Sequence, residues 1–432
     1  MIRERHGRPA LGCYHASMTK NRTDTFEAKL DAYAELLVKV GVNVQPGQKL
    51  LIRTSTEAVA LTRKVVEWAY RVGSPYVEVF WSDDGVTRAR FANAPDGSFG
   101  TISQFRADAM NQLAAEGAAS LAIAADDPAA LAGTDPRRFA TYLAAWRPAV
   151  KPYTDLAMAD SIAWSIAAAA GPAWARKAFP DLDEEQAVAA LWDAIFAATR
   201  IDTPDPTAAW HEHAARLKTA KERLNTKRFS ALRFVGPGTD LTVGLADGHV
   251  WDGGSSTSAA GVTFMANMPT EEVFTAPHRA KVDGVVRATK PLSYNGAMID
   301  GFWLRFEDGR VVEAHADTGQ AALDSIFDTD DGSRRLGEVA LVPASSPIEQ
   351  AGILFYQTLF DENAACHIAL GRAYASTVAG SRAMSTDERA ASGMNESMSH
   401  VDFMIGSAQV DVDGVHADGT TEAVMRRGEW VD

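Results

Sequence analysis

Lys49-Leu50-Leu51-Ile52-Arg53 runs into Thr54-Ser55-Thr56, then into a stretch carrying Leu61, Val65, Trp68 and Val72, and then into the alternating segment 76–81. An apolar pentad, hydroxyl side chains able to cap a helix, a helical period and a second short strand together make a β-α-β unit. Gly73 and Pro75 stop the helix before the second strand. A further helix–strand step over 102–116 and 120–123 continues the pattern, so the first half predicts an α/β domain built on a parallel sheet. Upstream, Leu30, Tyr33, Leu37 and Val40 mark one face of a helix over 25–40. Downstream, residues 135–200 are rich in Ala and Trp and read as helical, and beyond Pro204 and Pro206 one more helix is expected over 207–225.

From Phe229 onward the texture changes to short alternating segments such as 240–245. A hairpin is expected where Phe302-Trp-Leu-Arg-Phe306 meets Val311-Val-Glu-Ala-His315 across Asp308-Gly309. The expected organisation is therefore a tail over 1–22, an N-terminal α/β domain over 23–224 with a βαβ opening, and a mixed α+β C-terminal domain over 225–432.

The 432 residues carry a net charge of −14, which argues against a nucleic-acid or anionic-membrane surface, since those need clustered Lys and Arg. Two cysteines, Cys13 and Cys366, cannot build a disulfide framework or a zinc knuckle and suit a reducing, cytoplasmic setting. The longest uncharged apolar stretch, 161–175, contains Gly171 and Pro172 and is shorter than the roughly 20 residues a spanning helix needs. It reads as buried helix or loop. The basic N-terminus has no continuous apolar run, and Met18 is a candidate alternative start.

Familiar motifs are mostly absent: there is no H-E-x-x-H, no G-x-x-x-x-G-K-[ST] and no G-x-S-x-G. Gly236-Pro-Gly238 is followed by Leu241 where a dinucleotide loop needs a third glycine. His211 and His213 fall in an expected helix, where residues two apart point roughly 200° apart. They read as two solvated histidines rather than a metal pair.

The second half places carboxylates and histidines inside apolar segments. If Ser399-His400-Val401-Asp402-Phe403-Met404-Ile405-Gly406 is a strand, His400 and Asp402 share one face and Val401, Phe403 and Ile405 the other. Alone, that pattern fits a strand with one polar side in solvent. Over 359–374, His367 and Tyr374 share a face if the segment is helical, with Glu362 near its start. Glu338 leads the apolar strand 338–342. Glu271 and Glu272 lie in a Pro-bounded, extended segment, where adjacent side chains point opposite ways, so only one of them reaches a given ion. Such an inventory suits a pair of divalent ions with bridging carboxylates, which activates a water and stabilises an oxyanion in hydrolysis.

Four runs, NMPTEEVFTAP (267–277), LGEVALVP (336–343), LFDENAACHIALGRAY (359–374) and SMSHVDFMIG (397–406), stand in one order along the second half. They resemble the thermophilic-type metalloaminopeptidases, the aminopeptidase T and aminopeptidase S family. The resemblance implies metal ligation by Glu272, Glu338, His367, His400 and Asp402, with Glu362 as a further ligand or holder of the metal-bound water. It implies that Tyr374 points its phenol at the tetrahedral intermediate. Glu271 is assigned as a proton-shuttling base on its position beside Glu272. The implied cofactors are two divalent metal ions, zinc, cobalt or magnesium; the implied substrates are small peptides cut at their N-terminal residue; the implied assembly is a homodimer. The alternative is a mononuclear iron, ring-cleaving dioxygenase of the dihydroxypyridine type, similar in fold, for which His367, His400 and Asp402 would suffice. The extra carboxylates Glu272, Glu338 and Glu362 favour the peptidase.

Overall fold

Apolar strands β1 (Leu50–Ser55), β2 (Val77–Ser82), β3 (Ala119–Ala124) and β4 (Trp164–Ala168) pair in parallel in the order β2-β1-β3-β4. The computed structural model to which they belong describes residues 25–294 and 297–431; the expected tail over 1–22 and Cys13 lie outside the described residues. Helix α1 (Phe26–Leu36), capped by the Thr25 side chain, and helix α2 (Val59–Arg71) cover one face, burying Leu30, Tyr33, Leu61 and Val65 with Leu50 and Ile52. Leu51 points the other way, into a second cluster with Met110, Leu113 and Tyr153. Both faces are covered, as parallel sheets require.

The helical reading of 135–200 is corrected by β4, whose Trp-Ser-Ile-Ala-Ala segment lies inside the apolar stretch 161–175. A short apolar run, buried at Ser165, Ala167 and Ala168 and half-buried at Trp164 and Ile166, has no polar alternation to mark it, and its alanines mimic a helix. Helix α3 (Pro206–Lys227) starts where Asp205 caps it and Pro206 needs no N–H donor, and ends at Arg228 in the left-handed region. The expected domain cut falls within its last turn.

Beyond α3, among the described residues, eight antiparallel strands form one sheet that contains Ala231–Gly236, Thr239–Leu245, Pro277–Arg287 and Asp411–Val415. Its expected hairpin is present as Trp303–Glu307 paired with Arg310–His315. The turn residues Asp308 and Gly309 both have positive φ, at 48° and 76°. A second, four-stranded sheet combines β5 (Val273–Thr275), β6 (Leu336–Leu341), β7 (His367–Gly371) and β8 (His400–Met404) in the order β8-β7-β6-β5. Val339, Leu341, Ile368, Leu370, Val401 and Phe403 on one of its faces share a core with Phe234, Val243 and Phe306 of the larger sheet.

The register of the smaller sheet decides what its other face carries. Cross-strand partners share a face, and Glu338 pairs with Ala369, which pairs with Asp402. His367 pairs with Ala340, and Gly371 pairs with His400. Leu336 pairs with the core-facing Leu370, so the register slips by one residue between Leu336 and Glu338. That bulge at Gly337 turns Glu338 away from the core. A Cβ at Gly337 would lie 2.4 Å from the backbone carbon of Arg372, so only glycine permits the strand's close approach there. Ala340, Ala369 and Gly371 leave a floor of small residues between the polar side chains.

The two faces should respond differently to substitution. Val401→Ala opens a cavity on the core side and should lower stability by ~1–3 kcal/mol while ion uptake is retained. Ala369→Leu fills the floor between Glu338 and Asp402 and should abolish ion uptake. Urea midpoints and elemental analysis of the two purified variants separate the effects, and full ion content in Ala369→Leu would show that the face is assigned wrongly.

Candidate metal centre

One oxygen, one nitrogen and one further oxygen from Glu272, His367 and Glu338 lie within 4.8 Å of one another, and Glu338, His400 and Asp402 form a second such group. Glu338 belongs to both. Its Oε1 is 3.5 Å from His367 Nε2 and its Oε2 is 3.6 Å from His400 Nε2. His367 Nε2 is also 3.1 Å from Glu272 Oε2, and His400 Nε2 is 3.2 Å from Asp402 Oδ1. The fourth carboxylate, Glu362, comes from a 3-10 turn, Glu362–Ala364, that follows the short helix Thr358–Asp361. Leu359, Phe360 and Ala364 anchor that turn in the core of the N-terminal sheet.

Both imidazoles are oriented by backbone carbonyls. His367 Nδ1 donates to Ala365 O at 3.1 Å and His400 Nδ1 to Arg372 O at 2.7 Å. A carbonyl only accepts, so in the neutral rings each Nε2 carries the lone pair and points at the carboxylates. Burial lowers the His367 imidazole, but Glu272 and Glu338 outweigh it and hold it well above its usual range. Burial likewise opposes His400, which Asp402 and Glu338 raise to about 9. Burial and the nearby Asp402 and Glu272 push Glu338 up to about 7, against the pull of the neighbouring His367. Glu362 is driven well above the carboxylate range by burial and by Glu272 and Asp402. Burial raises Asp402, yet His400 and His367 hold it below its ordinary value.

These residues fit a divalent cation. Glu272 Oε2, Glu338 Oε2 and His367 Nε2 are buried and have no well-directed hydrogen-bond partner. Orphaned buried donors and acceptors are rare unless an ion or ligand completes them. Carboxylate and imidazole donors without thiolate are compatible with zinc, cobalt or magnesium.

Five of the expected site residues other than Glu362 are thus brought together by β6, β7, β8 and the start of β5. The helical reading of 359–374 is corrected: His367 opens strand β7, and Tyr374 follows it in extended backbone before a short turn at Ala375–Thr377. Tyr374 is 43% exposed, not buried as on a helix, and its ring lies 4.8 Å from that of His400 and 6.0 Å from that of Phe274. Desolvation and the carboxylates of Glu338, Asp402, Glu362 and Glu272 keep its phenol well above the ordinary value.

Glu271 is the residue expected as a proton shuttle. Its carboxylate is paired with Arg200 at 2.7 Å and lies 3.5 Å from His213 Nε2, whereas that of Glu272 faces His367. His213 is likewise not solvated: it is 4% exposed, donates from Nε2 to Thr270 O at 2.7 Å, and is lowered to about 3 by burial and Arg200. Arg200 and Asn363 were not singled out from sequence. Asn363 sits beside Glu362, and its Oδ1 accepts from the Glu271 N–H at 2.7 Å. Its position in the D-E-N run was the available signal; for Arg200 there was none.

The family model of the thermophilic metalloproteases, M29, matches residues 26–430. Aminopeptidase 2 of Geobacillus stearothermophilus is 49% identical across 94% of this chain and 98% of its own length. Aminopeptidase T of Thermus thermophilus is 46% identical across 94% of this chain and 100% of its own. The solved structure of wild-type AmpT from Thermus thermophilus superposes with a TM-score of 0.89 at 45% identity, covering 94% of this chain and 100% of that one. These likenesses run through both halves of the chain, and none of them supports the dioxygenase alternative. The chain belongs to the M29 family of thermophilic metalloproteases.

Proposed function

We propose that the protein is an aminopeptidase that removes N-terminal residues from small peptides with two divalent ions, zinc, cobalt or magnesium. The observation that carries the two-ion reading is Glu338, whose two oxygens face different ligand groups. Glu272 and His367 complete one group, and His400 and Asp402 the other. Glu362 adds a fourth carboxylate, so that two dipositive ions balance the charge of the four. When bound, such ions supply Lewis acidity to a scissile carbonyl and to an attacking water. The reading also comprises a homodimer, a cytoplasmic location, and a division into an α/β domain over 23–224 and a metal-binding domain over 225–432. The homodimer comes from the family resemblance. Consistent with the location, Cys366 is a free thiol and no described helix is long and apolar enough to cross a membrane.

The chain's own groups divide the remaining work. Tyr374 keeps its proton across the working pH range, because desolvation of its hydroxyl and four carboxylates oppose a phenolate. It is therefore a standing hydrogen-bond donor for an oxyanion. Glu362, which burial and the neighbouring carboxylates also drive to hold a proton in the bare cluster, would accept and return one beside the scissile bond. A carboxylate-rich cluster favours a substrate's free amino terminus, the feature that separates exopeptidase from endopeptidase action.

Three outcomes are expected. Chelator-treated protein should lose hydrolysis of an unblocked dipeptide and regain it with zinc, cobalt or magnesium, whereas the N-acetylated dipeptide should remain a poor substrate; equal cleavage of both would contradict an aminopeptidase. His400→Ala and Asp402→Asn should each lower bound metal by elemental analysis, and wild-type stoichiometry in both would remove them from the ligand set. Tyr374→Phe should lose about 10²–10³ in kcat with little change in KM or metal content, as for loss of one oxyanion donor. An unchanged kcat would leave Tyr374 as a packing residue.

A further inference from the structure

Behind Glu272 lies a polar cluster that none of the roles above uses. Arg200 occupies the left-handed region, with φ of 60°, just after the helix Glu184–Ala198. Its Nη2 lies 2.7 Å from Glu271 Oε1, 3.0 Å from Glu271 Oε2 and 3.0 Å from His213 Nδ1. The guanidinium stacks over the Trp210 ring at 5.0 Å. Arg200 and Glu271 are among the most buried charged side chains, at 11% and 3% side-chain exposure. His213, held from the other nitrogen by Arg200, donates to Thr270 O, and Asn363 accepts from the Glu271 N–H. The segment 270–271 is thus gripped at a carbonyl, an N–H and a side chain.

We propose that Arg200 is a positioning residue of the metal centre, holding Glu271 and, through His213, Thr270 so that Glu272 projects from a fixed backbone. Glu271 faces Arg200 and His213 while the adjacent Glu272 faces His367, so anchoring the backbone and side chain at 270–271 limits the directions open to Glu272. Burying an ion pair is a poor way to gain stability, and isosteric apolar residues often do as well. Its use here is orientation: of the five residues in the two ligand groups, Glu272 alone precedes its strand instead of lying within it, so sheet register alone does not aim it. Arg200 also comes from the N-terminal half, which ties the geometry of the metal centre to the docking of that half. The inference rests on Glu272 being a ligand of the centre.

Zinc is titrated into chelator-stripped protein against a chromophoric competitor, with urea midpoints of the stripped proteins measured in parallel. Arg200→Met/Glu271→Gln removes both charges together, leaving no isolated buried charge to unfold the chain. One of the two zinc equivalents should weaken roughly 10–100-fold, the range for loss of an outer partner of a metal ligand, while the other stays near wild type. Arg200→Lys keeps the charge without the planar fork and should recover part of the loss; if the pair variant does not fold, Arg200→Lys decides by the same readout. Glu272→Gln should affect the same equivalent. Unchanged affinity in the folded Arg200 variants, or equal weakening of both equivalents together with a lowered midpoint, would overturn the proposal. If Glu272→Gln retains both equivalents, it is the ligand assignment that fails.

Discussion

Four carboxylates, Glu272, Glu338, Glu362 and Asp402, converge in a space with little water to solvate them. Several kcal/mol per ion is a reasonable scale for the desolvation of such groups, and like charges add to it. Without a cation the cluster relieves itself by holding protons: Glu338 and Glu362 are pushed up, and His367 and His400 stay charged beyond their usual range. This is the constraint on which the rest of the structure depends. A fold that keeps this arrangement at the cost of its own stability is organised around what neutralises it.

The four-stranded sheet meets that constraint by separating its faces. Phe403, Ile368 and Val339 bury one face against the eight-stranded sheet and supply the hydrophobic stabilisation. The reverse face, freed of that duty, carries acids and imidazoles over Ala340, Ala369 and Gly371. The N-terminal half contributes from behind and above. It anchors the turn that delivers Glu362, and it sends Arg200 to the back of Glu272. The centre therefore needs both halves, although its ligands all come from one.

Alternation made His400 and Asp402 legible in the sequence, and they fall on one face of β8 as period two requires. The βαβ opening and the Asp308-Gly309 hairpin were equally plain, because turn chemistry and period agree there. Two segments misled for physical reasons. Strand β7, written His-Ile-Ala-Leu-Gly and preceded by a helical turn and Ala-Cys, is buried on both faces, so its composition fits helix and strand alike. Strand β4 was hidden by its alanines in the same way. Others had no local signature. That Glu338 faces the site depends on a bulge at Gly337, and His213 is buried where Arg200, Trp210 and Thr270 close on it. Long-range register and long-range polar partners are set by the assembled fold.

The central claim is that Glu338 is shared by two ligand groups, each of which would hold one ion. Anomalous diffraction from crystals of zinc-loaded protein, recorded at the zinc absorption edge, addresses it directly. Two peaks about 3.5–4 Å apart, one beside Glu272 and His367 and one beside His400 and Asp402, with Glu338 between them, are the predicted result. A single peak in the centre, or peaks remote from Glu338, would contradict it.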